Sequence, residues 1–180
     1  MRTTFALAAL ALLAGGCTTS NIPSPYEGQT RYLCCNLHYE KPTIADVNFQ
    51  QGTLVPLGTP VRVTKVKGRA VTFEAAGYPP LTAVLKYGRD NLSMDAFVNR
   101  LFVERDPRAK LTHLPKKTRE LIEAGQVDAG MTRDQVLMAL GYPPAHRTPN
   151  LDSSQWIYWQ NRWKSFLVDF DGDRVDSVRR

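Results

Sequence analysis

The 180-residue chain has few of the residues from which reactive centres are built. It holds 3 cysteines and 3 histidines. None of them falls at Cys-x-x-Cys or His-x-x-x-His spacing, so no metal-ligand set can be read. Ser153, Ser154 and Ser165 lack the Gly-x-Ser-x-Gly surroundings of a nucleophile elbow. His113 and His146 stand alone, as surface or hydrogen-bonded histidines do. The stretch "DFDGD" spaces Asp169, Asp171 and Asp173 like calcium ligands. A calcium loop needs Gly at its sixth position and Glu at its twelfth. Counted from Asp169, those places hold Arg174 and Arg180, so a hairpin turn is the better reading. The sequence predicts no enzyme, no catalytic residue, no metal and no cofactor.

Long apolar runs are equally scarce. The one uninterrupted run, Phe5–Ala14, is 10 residues, half of the roughly 20 that a membrane-spanning helix needs. Arg2 precedes it and Gly15-Gly16-Cys17 follows, the pattern of a secretory signal over residues 1–16. "LAGGC" resembles a bacterial lipobox, which implies cleavage before Cys17 and lipidation of its thiol. Two or three acyl chains hold a protein stably on a bilayer, whereas one does not. Thr18 stands where an inner-membrane retention signal would show Asp. By resemblance to the sorting of Gram-negative lipoproteins, the chain is expected on the outer membrane, lipid-anchored and facing the periplasm.

Charge is mild. Of 23 Lys and Arg, Arg2 leaves with the signal, so 22 basic side chains face 17 acidic ones, a net +5. That excess is spread along the chain. It suits contact with anionic headgroups, and without a concentrated basic stripe it predicts no nucleic-acid partner. Residues 17–30 are polar, carry Pro23 and Pro25, and read as a flexible tether.

Residues 31–105 read as a β-rich N-terminal region: a small antiparallel β-unit with a helix. "RYLCCNLHYE" has the content of a strand, residues 40–52 look irregular, and "PVRVTKVKGRAVTFEA" is a hairpin turning at "KGR". Lys65 is expected inward there with Val61 and Val63. Cys34 and Cys35 are neighbours, and neighbours on a strand point to opposite faces. The favoured reading is two reduced, partly buried thiols, with a vicinal disulfide or intermolecular pairing as alternatives. Ser93 caps a helix whose apolar face is Met94, Phe97, Val98, Leu101 and Phe102. "ERDPRAK" is the expected boundary between two halves.

Residues 113–180 carry denser signals. Pro115 opens a short helix stopped by Gly125. Thr132 and Gln135 form a capping box, Asp134 sits in the first turn, and Gly141 with Pro143 and Pro144 ends the helix. A helix of about nine residues is marginal alone and must be held by its neighbours. "QWIYWQN", "WKSFLVDF" and "RVDSVRR" then form a meander with Phe166, Val168 and Phe170 on one face. The order Gly130-Met131-Thr132, Val136, Leu140-Gly141, Pro143, a Trp/Tyr-rich strand and "FDGDRV" resembles the SmpA/OmlA (BamE-like) outer-membrane lipoprotein domain. That resemblance implies an ααβββ module, two helices on a three-stranded antiparallel sheet, and so an α+β fold class for the chain. It also implies a role without catalysis.

The aromatic cluster supplies the candidate interaction patch: Trp156, Tyr158, Trp159, Arg162, Trp163 and Lys164. Aromatics flanked by cations suit a protein partner or lipid headgroups. The sequence thus points to an outer-membrane lipoprotein acting as a protein-interaction scaffold in cell-envelope assembly or maintenance. Its expected partners are the membrane, through the anchor, and one or more envelope proteins. The alternative is an envelope protein that binds peptidoglycan fragments or anionic lipid.

Overall fold

Val61, Val63, Val71 and Phe73 alternate with polar residues, and burying that one face organises the first half of the fold. The computed structural model describes residues 24–180. The expected signal, Cys17 and residues 18–23 of the tether lie outside the described residues. Strands β1 (Thr30–Leu33), β2 (Leu37–Tyr39), β3 (Thr43–Ala45), β4 (Thr53–Val55), β5 (Pro60–Lys67), β6 (Ala70–Ala75), β7 (Leu81–Val84) and β8 (Phe102–Val103) occur in this half. Six of them make a curled half-barrel sheet in the order β3-β7-β6-β5-β1-β8, while β2 and β4 pair separately. All pairings in the six-stranded sheet are antiparallel except β3 with β7. Helix α1 (Met94–Leu101) closes this core with Phe97 and Val98, and the Ser93 hydroxyl caps it by accepting from the Ala96 N–H. A register shift between Val63 and Lys65 flips the phase of β5, so Val66 turns inward in place of Lys65.

The second core gathers on β9 (Gln155–Trp159), β10 (Ser165–Asp171) and β11 (Arg174–Arg179), a three-stranded antiparallel sheet. Trp156, Tyr158, Phe166, Val168, Phe170 and Val175 are buried beneath helices α2 (Lys116–Glu123) and α3 (Arg133–Leu140). The capping box forms: the Thr132 hydroxyl accepts from the Gln135 N–H, and the Gln135 side chain accepts from the Thr132 N–H. No helix among the described residues is long and apolar enough to cross a membrane.

The expected fold class is overturned. The described chain is mixed α/β and sheet-rich, with four helices and eleven strands, rather than a small β-unit followed by a separate ααβββ module. The reason is that the second core borrows from the first half: Leu57 is buried in it at 3% exposure. The expected boundary is also occupied. Pro107–His113 is a 3-10 helix capped by Asp106, and its Leu111 joins the second core. The folded region starts earlier than residue 31. The Gly28 N–H donates to Val63 O, Glu27 accepts from the Val66 N–H, and Tyr26 packs on the first core.

Cys34 and Cys35 are joined by a disulfide, which corrects the expectation of reduced thiols. It becomes possible because "RYLCCNLHYE" is two strands. Pairing stops at Leu33 and resumes at Leu37, so the pair sits where the chain has left the strand geometry that points neighbours apart. Residues 40–52 are likewise more than a loop, since they hold β3 and two buried amides, Asn48 and Gln50.

Those amides settle how α3 ends. The last four carbonyls of any helix lack partners within it. In α3, Leu137 O accepts from the Gly141 N–H and Met138 O from the Asn36 N–H. Ala139 O accepts from Asn36 Nδ2 at 3.1 Å, and Leu140 O from Asn48 Nδ2 at 2.8 Å and Gln50 Nε2 at 3.0 Å. Asn36 Nδ2 also reaches Ile122 O of α2 at 2.6 Å, and its Oδ1 accepts from the Leu57 N–H at 2.9 Å. Gly141 has φ of 79°, and a Cβ there would stand 2.9 Å from Asn48 Nδ2, so only glycine lets the amide in. Replacing Asn36 by Ala strands the Ala139 carbonyl and the Leu57 N–H in the interior and leaves Ile122 O only its bond from the Gly125 N–H. The expected loss is about 3 kcal/mol, one unsatisfied buried group costing about 1–3. Urea unfolding of Asn36→Ala reads it, and a midpoint equal to that of the unaltered protein would contradict the role given to Asn36.

Candidate functional site

The sequence singled out six residues around β9 and its turn, and the structure divides them. Trp156 and Tyr158 alternate onto the face that meets the helices, and both are 1% exposed. The Trp156 indole donates to Leu151 O at 3.1 Å, and the Arg133 guanidinium lies over its ring and over Phe170. Tyr158 donates to Gly141 O at 2.9 Å, and burial pushes its hydroxyl well above the usual tyrosine range. These two belong to the core and leave the patch. Trp159, on the opposite face of β9, is half-buried.

Arg162, Trp163 and Lys164 remain, all exposed on the turn between β9 and β10. Trp163 is 83% exposed. The turn is held from within: Asn161 Oδ1 accepts from the Trp163 and Lys164 N–H groups at 2.9 and 3.0 Å, and Gln160 N–H donates to Lys164 O. This Asx arrangement presents the indole from a defined backbone rather than a loose tip. The Arg162 guanidinium stacks 5.3 Å from the Trp163 ring centre. Beside it lies a concavity of about 360 Å³ whose far wall is Glu40, Phe49 and Gln51. Those three come from the stretch that looked irregular, and no periodicity marks them. Gln160 Nε2 donates to Gln50 O, and Gln50 N–H donates to Trp159 O, which fixes that wall against the turn.

The acidic run behaves as a hairpin. Gly172, at φ of 57°, turns the chain between Asp171 and Arg174, and Asp171 and Asp173 are exposed. Asp169 lies apart on β10, where Arg179 Nε at 2.6 Å and Gln155 Nε2 at 2.7 Å hold its oxygens. Among the described residues, no three His, Cys, Asp or Glu side chains are grouped to hold a metal ion. His38 is buried enough that its pKa is lowered. His146 is lowered too, by burial first, and lies 5.6 Å from the Tyr87 ring.

The hydrogen bond from Arg179 is the main reason that the Asp169 carboxyl is pulled from 3.8 down to about 2, with Gln155 adding to it. A depressed folded-state pKa contributes stability that is present above the unfolded value and is lost as pH falls through the folded one. The stability difference between the protein and Asp169→Asn is therefore expected to be constant from about pH 7 to about pH 5. It should shrink below about pH 5, be mostly lost by about pH 2 and be gone near pH 1. Urea midpoints of both proteins across that range measure it, and a difference that persists undiminished at the acid end would contradict the pairing. In comparisons with known proteins, no family model, no curated protein and no solved structure matches the chain.

Proposed function

We propose that this chain is a non-catalytic, lipid-anchored scaffold of the outer membrane, facing the periplasm and engaging another envelope protein through the Trp163 turn. The observation that carries this reading is one large indole, 83% exposed, on a turn whose backbone is already fixed. Tryptophan and arginine are the residues most often found at the energetic centre of protein interfaces. A pre-shaped turn loses little conformational freedom on docking. Arg162 and Lys164 add positive charge at the rim, favouring a partner surface that is acidic. The lipobox-like "LAGGC" and the order of motifs from Gly130 to Val175, which resembles the SmpA/OmlA lipoproteins, support the location and the supporting role.

The same turn also suits a second reading, contact with anionic lipid, because an exposed indole beside two cations fits a headgroup layer. A photoreactive amino acid in place of Trp163, introduced in growing cells, separates the two. A discrete crosslinked envelope protein, absent when the photoreactive group sits at Lys67 on the other half, is the expected outcome. Crosslinks to lipid alone would favour the second reading, and no product of either kind would contradict both. The anchor has its own check: labelled palmitate is expected to enter the protein and to be absent from Cys17→Ala.

A further inference from the structure

A second concavity lies at the seam of the two cores, away from the Trp163 turn. It is a narrow cleft of about 50 Å³ walled by Leu37, Ile44, Ala83, Phe97, Leu101 and Pro143. Two charged residues border it, Asp46 and Arg100. Asp46 is occupied: its two oxygens accept from the backbone N–H groups of Lys86, Tyr87 and Gly88 at 2.6 to 3.2 Å. Arg100 is different. It lies half-buried in the last turn of α1, with its guanidinium carbon 5.0 Å from the Tyr142 ring centre. Among the described residues, its guanidinium has no hydrogen-bond acceptor and no carboxylate within ion-pairing distance.

Of the other half-buried arginines, Arg31 and Arg133 are matched, while Arg119, on α2, borders neither concavity and has no partner among the described residues. Arg31 has Glu104 and Gln29, and Arg133 has the carbonyls of Leu151, Ser153 and Gly172. A guanidinium cannot escape a poor environment by giving up its proton under ordinary conditions. Burial lowers the Arg100 pKa, in keeping with a guanidinium half withdrawn from water and set against a ring face. The cleft is therefore bordered by a half-buried cation whose donors are free to take an anion.

The space beside it sets what that anion must carry. A water-sized sphere takes about 10–15 Å³ by this measure, so the cleft holds roughly three to five such spheres. That excludes a long acyl chain and fits a small aliphatic group. The charge and the apolar room are adjacent, so the ligand's anionic head and its aliphatic part must branch from nearly the same atom. The last residue of a peptide has that shape, since its carboxylate and side chain share one carbon, and a guanidinium fork matches a carboxylate with two parallel hydrogen bonds.

We propose that the cleft seats a peptide carboxyl terminus, with the carboxylate on Arg100 and a small aliphatic last side chain among Ile44, Ala83, Phe97 and Leu101. This site is independent of the Trp163 turn, so either can fail without the other. Two sources offer the same chemistry: the tail of a protein, with L-residues, and a cell-wall stem peptide, with a terminal D-alanine.

The purified protein, labelled with ¹⁵N, is titrated with acetyl-L-Ala-L-Val, acetyl-D-Ala-D-Ala, the amidated form of each, and octanoate. At least one free-carboxylate peptide is expected to shift the amides of Ala45, Leu101 and Tyr142 in a saturable way. Its amidated form is expected to bind at least about ten-fold more weakly, the loss of roughly 1.4 kcal/mol. Arg100→Gln should cause a loss of the same order, with Arg100→Lys falling between. Preference for the L-peptide identifies a protein tail, and preference for the D-peptide identifies a cell-wall fragment; either supports the site. No shift at those amides up to about 10 mM, equal binding of the amidated forms, or saturation by octanoate alone overturns it. The amide comparison uses the unaltered protein, so the test holds even if Arg100→Gln fails to fold.

Discussion

Four carbonyl groups at the end of α3 hold the molecule together. A helix of 8 residues cannot satisfy them itself, and buried without donors each would cost about 1–3 kcal/mol. One is closed by Gly141 of the same chain segment, and the others by Asn36, Asn48 and Gln50, more than 85 residues earlier. The donors also approach the negative end of the helix dipole, where partial positive charge is favoured. Asn36 is fully buried and Asn48 and Gln50 nearly so, which gives these bonds a low-dielectric setting in which they are strong when made and costly when broken. Asn48 adopts φ of 46° to deliver its amide, a conformation that asparagine tolerates better than most residues.

This polar clasp explains why the two hydrophobic cores do not behave as two modules. Leu57 crosses into the second core at the position where its N–H meets Asn36 Oδ1. The ribbon of β2 and β4 lies between the cores, and His38 N–H on β2 donates to Asn48 Oδ1. Both concavities argued above are products of that seam. Glu40, Phe49 and Gln51 face Arg162 and Trp163 in one; Ile44 and Ala83 face Tyr142 and Pro143 in the other. Neither surface exists in one half alone.

Much of the local structure was legible because its signals are local. Ser93, the Thr132–Gln135 box and Gly172 act within a few residues of themselves, and each does what its chemistry demands. Phe166, Val168 and Phe170 share a face because a strand has a period of two. The clasp was not legible, because Asn36 sits inside a stretch that reads as a strand, while Asn48 and Gln50 lie in one without periodicity that looks like a solvated loop. What distinguishes Asn36 is a set of carbonyls about 100 residues away in the chain. The face of β9 was ambiguous for the opposite reason: "WIYW" is apolar on both sides, so alternation alone could not say whether Trp156 and Tyr158 faced inward. Lys65 was misplaced because a bulge leaves no mark in the pattern that it interrupts. The disulfide at Cys34 depended on knowing that one strand was two.

The central claim, that buried amides fuse the two cores into one cooperative body, is tested most directly by watching both cores unfold at once. Fluorophenylalanine places ¹⁹F reporters in the first core at Phe73, Phe97 and Phe102, and in the second at Phe166 and Phe170. In a urea titration followed by ¹⁹F NMR, the account predicts that the native signals of both sets disappear together at a single midpoint. Native signals from Phe166 and Phe170 that outlast those of Phe73 and Phe102, or the reverse, would contradict it.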